Sequence, residues 1–234
     1  MKFLKSFKSL TKFELILWLV SVCAITISFL LGSHKDTVTI IASLIGVTAL
    51  IFVAKGDVLG QILTVVFSIF YAVISFRFRY YGEMITYLGM TAPIALMSVI
   101  TWLKNPYEKG KNEVKIARLT KKKIIILILL TILVTFIFYF ILSYFDNANL
   151  FMSTVSIATS FSASALMLLR SPYYAVAYAC NDVVLIVLWI MAAMQDIAFL
   201  PMIICFAIFF VNDLYGFFNW KRMMKKQKNK WIIV

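Results

Sequence analysis

Lys104-Asn105-Pro106-Tyr107-Glu108-Lys109-Gly110-Lys111-Asn112-Glu113-Val114-Lys115-Ile116-Ala117-Arg118-Leu119-Thr120-Lys121-Lys122-Lys123 is a polar stretch between two strongly apolar halves of the chain. Eight of its residues are basic, and Pro106, Gly110 and Glu113 mark it as a loop. On either side, apolar runs follow one another with only short breaks. The 234 residues are 63% hydrophobic and 14% charged, with a mean hydropathy of +0.95. A soluble domain is closer to half apolar and a quarter charged. The runs reach the roughly 20 apolar residues that a helix needs to cross a bilayer. The composition excludes a soluble enzyme core and reads as an all-α polytopic membrane protein.

Eight spans are expected, at 13–31, 37–54, 57–76, 84–104, 123–145, 149–169, 172–194 and 197–220. Runs this uniformly apolar show no period. Helix is preferred to strand because a backbone in lipid must satisfy its polar groups within its own segment. The first run follows the basic segment Met1–Lys12 and is long for the apolar core of a signal peptide. Leu31-Gly32-Ser33-His34 offers no small-residue cleavage site, so the run reads as an uncleaved span. With the N-terminus in the cytoplasm, 20 Lys and Arg fall inside: Lys2, Lys5, Lys8, Lys12, Lys55, the eight of the central loop, Arg170, and six from Lys221 to Lys230. Three, Lys35, Arg77 and Arg79, fall outside. This bias predicts a cell-membrane protein with both termini cytoplasmic.

The two halves resemble each other. In each, a basic residue (Lys55 or Arg170) ends one span, a tight link opens the next, and a third span closes on Trp-Leu-Lys (102–104) or Trp-Lys-Arg (220–222). The intervals Lys55 to Trp102 and Arg170 to Trp220 are 47 and 50 residues. Two parallel three-helix repeats joined by a linker helix are expected, a 3+1+3 plan, with one extra N-terminal helix outside the symmetry. The expected divisions are 1–36 for the basic N-terminus and extra span, and 37–104 for the first repeat. The loop and linker span take 105–148, the second repeat 149–222, and a basic tail 223–234.

Several function classes drop out. The net charge of +13 lies in short segments between apolar runs, as beside anionic headgroups. No basic face with interleaved aromatics offers a nucleic-acid surface. Cys23, Cys180 and Cys205 all lie inside apolar runs without a CxxC, so neither a disulfide framework nor a zinc site is expected. His34 is the one histidine and sits in a polar turn. There is no phosphate-binding loop, HExxH or GxSxG motif. No cofactor or metal is called for, and the chain holds no nucleotide motif of an ATP-driven pump.

The polar residues inside spans mark the site. Asp57, Gln61, Thr64, Ser68, Tyr71 and Ser75 recur at intervals of 4, 3, 4, 3 and 4, on one helix face. Helix packing and cavity lining both explain the small hydroxyls; Gln61 favours a cavity. In the seventh span Tyr174, Tyr178, Asn181, Asp182 and Trp189 share a face, with the amide and acid near mid-membrane. A carboxylate there costs about 2.5–3.5 kcal/mol unless it faces water or donors. In the last span Asn212, Tyr215, Gly216 and Asn219 share a face, with Asp213 beside it. Ser153, Ser156, Ser160 and Ser164 read as a packing stripe. Trp102 and Trp220 read as interface anchors.

Tyr81-Gly82-Glu83-Met84 resembles the Y-G-D/E-M element of PnuC-type vitamin transporters, and Gly216 to Trp220 resembles the G-x-x-x-W that closes their repeats. The first repeat has Ser98 to Trp102 instead, and the likeness covers about residues 37–222. The resemblance implies a SWEET-like fold and facilitated uptake of nicotinamide riboside, trapped by phosphorylation in the cytoplasm. Relatives that carry thiamine, riboflavin or deoxynucleosides leave those substrates open. By position, Tyr174 and Tyr178 stand for the family's ring-stacking Trp residues, and Asn212 for its substrate-binding Asn. Ala95 departs from a common Gln. Ser68, Asp182, Tyr215 and Asn219 complete a site built on Gln61, Tyr178, Asn181 and Asn212. A homotrimer would fit the family. Proton coupling through Asp182 or Asp213, and a membrane scaffold without transport, are the alternative readings. In a cysteine-free background, Gly110→Cys should react with an impermeant maleimide only after the membrane is permeabilised, and Ser33→Cys at once. The reverse pattern inverts the orientation.

Overall fold

The computed structural model describes residues 6–31, 37–77, 80–108, 112–147 and 149–230. His34, Lys35, Arg79 and Gly110 lie outside the described residues. Eight helices are long and apolar enough to cross a membrane. They are α1 (Lys12–Leu31), α2 (Thr37–Ala54), α3 (Val58–Arg77), α4 (Tyr81–Lys104), α5 (Lys121–Tyr144), α6 (Leu150–Leu168), α7 (Tyr174–Ala193) and α8 (Leu200–Lys230). The shortest has 18 residues, about 27 Å of helix at 1.5 Å per residue, close to the hydrocarbon thickness. Every expected span is present to within a few residues. The exception is α8, which continues through Lys221–Lys230 into the basic tail.

Helix packing follows the chain in part. α2, α3 and α4 form one packed series, α6, α7 and α8 another, and α8 also lies against α2 and α1. α5 touches mainly α6 and exposes Ile125, Leu129, Ile132 and Phe136. α1 is held by polar contacts. Thr11 and Glu14 form a capping box, with Thr11 N donating to Glu14 Oε2 at 2.7 Å and Glu14 N to Thr11 Oγ1 at 3.2 Å. Buried Glu14 also accepts from Tyr215 on α8 at 3.0 Å and pairs with Lys55 at 3.3 Å. Trp18 Nε1 donates to Thr48 on α2 at 3.0 Å.

α4 contains a π turn over Tyr87–Thr91, just before Pro93. Proline cannot donate to the preceding turn, and the wider π turn absorbs the mismatch.

The basic ends of α2 and α6 are built alike. Each stops on a left-handed residue, Gly56 (φ 70°) or Arg170 (φ 57°). Trp220 Nε1 on α8 donates to Val53 O near the end of α2 at 2.9 Å. Trp102 Nε1 on α4 donates to Met167 O near the end of α6 at 3.3 Å. The two indoles lie 5.5 Å apart and Tyr174 packs edge-on to Trp220 at 4.7 Å. Neither Trp is an interface anchor: both are 0% exposed. Their N–H groups find carbonyls at the helix ends, so the rings turn inward.

The central loop covers this end. Val114 N donates to Gly56 O at 2.9 Å and Ala117 N to Arg170 O at 3.0 Å, so one strand-like segment straps both helix ends. Gln227, on the extension of α8, accepts from Ile116 N at 2.9 Å and donates to Val114 O at 3.1 Å. Ser6 Oγ donates to Asp57 Oδ2 at 2.7 Å, tying the N-terminal segment to the same place.

The closest helix contact is at Gly60, where an added Cβ would lie 2.4 Å from Val53 N and 2.9 Å from Ala49 O. Backbone atoms cannot give way as side chains do, so Gly60→Ala should destabilise by about 1–3 kcal/mol. Thermal unfolding in detergent checks this against Gly89→Ala, where nothing lies within 4 Å and no loss is expected.

Candidate functional site

A cavity lies in the middle of the helices. All its lining residues come from α2, α3, α4, α6, α7 and α8; α1 and α5 contribute none. Thr64 and Phe67 come from α3, Tyr87 and Thr91 from the π turn of α4, and Phe206 and Phe209 from α8. Its polar wall is Tyr178, Asn181 and Asp182 on α7, Ser160 on α6 and Asp213 on α8.

Hydrogen bonds orient these groups. Asn181 Oδ1 accepts from Thr159 Oγ1 at 2.8 Å and from Ser160 Oγ at 2.9 Å. Its Nδ2 is left as the donor end of the amide. The Tyr178 hydroxyl pairs with Ser164 Oγ at 2.9 Å. Asp182 on α7 and Asp213 on α8 line the same cavity, and Asp182 Oδ2 has no hydrogen-bond donor among the described residues. None of the lining residues is basic. The site therefore offers carboxyl, hydroxyl and amide groups, and aromatic faces. Such a wall suits a flat, positively charged ring bearing hydroxyls.

Of the nine residues expected from sequence, Tyr178, Asn181 and Asp182 line this cavity together. Ser68 is buried on α3 and donates back to Thr64 O at 2.8 Å. Gln61 is buried one turn from Thr64, with its Nε2 unpartnered. Tyr174 lies beyond Tyr178, its ring centre 6.2 Å away, against Trp220.

The α8 residues turn elsewhere. Asn212 Nδ2 donates to Ser21 Oγ on α1 at 3.1 Å and to Ile208 O at 2.9 Å. Tyr215 reaches Glu14 on α1, and Asn219 Nδ2 donates to Ala54 O at the end of α2 at 2.9 Å. These three hold α1 and α2 onto α8, and none of them lines the cavity. Asp213, one position further on, does.

Phe67, Tyr87, Thr91, Phe206 and Phe209 are lining residues that the sequence reading passed over. Aromatic residues in an apolar span carry no polarity signal. The pair Tyr87 and Thr91 beside Pro93 is the one cue, since a helix irregularity in a membrane usually borders a cavity. The serine stripe of α6 packs on α7, as expected, and also fixes the orientation of Asn181 and Tyr178.

Known proteins share this architecture. The family model described as nicotinamide mononucleotide transporter matches residues 36–222. The nicotinamide riboside transporter PnuC of Neisseria mucosa is 23% identical over 224 residues, covering 94% of this chain and 85% of the relative. The nicotinamide riboside transporter PnuC of Haemophilus influenzae is 22% identical over 213 residues, covering 90% and 91%. A crystal structure of the vitamin B3 transporter PnuC superposes with a TM-score of 0.81 over 94% of both chains, at 22% identity. The family model takes in six of the seven helices after α1 entirely and most of α8 through Trp220: the chain belongs to the nicotinamide mononucleotide transporter family.

Proposed function

We propose that this protein carries nicotinamide riboside across the cell membrane by facilitated diffusion. The observation that carries this reading is the cavity wall: two carboxyls, an oriented amide, hydroxyls and aromatic rings, with no basic side chain. The family's description names a mononucleotide, and the relatives' names a riboside. The cavity favours the riboside. A phosphate dianion calls for Arg, Lys or a metal, and Asp182 and Asp213 would repel it. The pyridinium ring of the riboside is a cation, which a carboxyl pair and aromatic faces attract. The same wall explains retention: once phosphorylated inside the cell, the product would be rejected by the cavity that admitted it.

In this reading α2–α4 and α6–α8 are two three-helix units that rock about the central cavity. The Trp102–Met167 and Trp220–Val53 bonds each join one unit to the other and would open together on the basic, cytoplasmic side. Both termini face the cytoplasm. The exposed apolar stripe of α5 is available to lipid or to neighbouring subunits of a homotrimer.

The placement of Asp182 and Asp213 in one cavity wall favours a second reading, in which a carboxyl pair accepts and releases a proton with each substrate. Proteoliposomes separate the two. With the membrane potential held at zero, a uniporter should bring labelled riboside to equal concentration on both sides, with or without an inward proton gradient. Accumulation above that level under the gradient would select the proton-coupled reading.

The site itself is tested by binding. Asn181→Ala should raise the Kd for nicotinamide riboside about tenfold, the loss of roughly one hydrogen bond to a charged or polar ligand. Asn212→Ala should act more on thermal stability, through the lost tie to Ser21. A larger effect on Kd from Asn212→Ala than from Asn181→Ala would return Asn212 to the site.

A further inference from the structure

A second, smaller cavity lies at the end of the helices away from the central loop, lined by residues that include Tyr80, Glu83, Asn149, Ser153, Leu185 and Trp189. It shares no lining residue with the central cavity, yet it follows the same helices. Glu83 precedes Tyr87 by four positions on α4, Leu185 follows Asn181 by four on α7, and Ser153 precedes Ser160 by seven on α6. The two cavities are thus one to two turns apart, roughly 6–10 Å along the helices.

Glu83 is 8% exposed. Its Oε1 accepts from Ser156 Oγ at 3.3 Å, and its Oε2 has no hydrogen-bond partner among the described residues. The ion pair found among the described residues is Lys55 with Glu14, at the other end of the molecule. A carboxyl oxygen left bare in a membrane helix is costly and calls for a cation or a donor. The surroundings say which. Trp189 stands 5.3 Å from Tyr80 and 5.5 Å from Phe199, ring centre to ring centre, so one carboxyl faces an aromatic cluster. A metal ion would need several oxygen or nitrogen ligands, and most of this wall is ring and aliphatic carbon. A flat organic cation needs one carboxylate and aromatic faces.

We propose that Glu83, Trp189 and Tyr80 form an outer site that takes the pyridinium ring of the incoming substrate before it reaches the central cavity. The proposal rests on the reading of the substrate as cationic nicotinamide riboside. It adds a selection step: a permanent ring cation is attracted at the mouth, and a neutral ring of the same size is not.

The test compares wild type with Glu83→Gln, which keeps the shape and a bond to Ser156 but removes the charge. Uptake into proteoliposomes is measured for nicotinamide riboside and for its dihydro form, which has nearly the same size and no ring charge. Binding of 1-methylnicotinamide, a pyridinium without ribose, is measured on the purified protein. The KM ratio of cation to neutral form should rise about tenfold in Glu83→Gln, with 1-methylnicotinamide binding weakened to match. Equal changes for both forms, or none for either, overturn the outer site. If wild type carries neither riboside, the substrate reading fails, and 1-methylnicotinamide alone decides: binding lost in Glu83→Gln supports the site, and no binding by wild type overturns it. Should Glu83→Gln not fold, Trp189→Leu is expected to raise the same ratio, and an unchanged ratio there overturns the proposal.

Discussion

Inside a bilayer no water reaches the chain, and every polar group must find its partner within the protein. The helices answer this for the backbone. For side chains the answer is a set of bonds between helices, and these bonds assemble the molecule. Glu14 holds α1 through Tyr215 and Lys55. Asn212 adds Ser21, and Asn219 adds the last carbonyl of α2. The hydrophobic effect cannot drive apolar helices together in lipid, so close packing at Gly60 and such polar contacts carry much of the association.

The same demand shapes the end covered by the central loop. Helices end there with free carbonyls, and the indoles of Trp102 and Trp220 take two of them. The loop takes the carbonyls of Gly56 and Arg170, and Gln227 then satisfies the loop's own backbone. Breaking one member would leave buried polar groups bare at several others. These contacts therefore stand or fall together.

Where polar groups are left without protein partners, the structure has room for a ligand. Asp182 Oδ2 has no donor among the described residues and its residue lines the central cavity; Glu83 Oε2 likewise has none and its residue lines the outer one. Both places combine carboxyl and aromatic groups, and no basic side chain is found among their described lining residues.

Hydropathy, length and charge were enough to place the eight helices and to expect their orientation, because burial in lipid acts on each span independently of the others. The face shared by Tyr178, Asn181 and Asp182 was legible too, since helical spacing alone sets it. The assignment of α8 was not. Asn212 and Asp213 point about 100° apart on the helix, and α8 is packed on several sides, by α1, α2 and α7. Which residue meets α1 and which meets the cavity depends on how the helices are rotated against one another, a property of the assembled bundle and not of any one segment. The two Trp residues show the same limit. An indole at a span end can lie in the headgroups or turn inward, and only the carbonyls of neighbouring helices, brought close by the tertiary fold, decided that these turn inward.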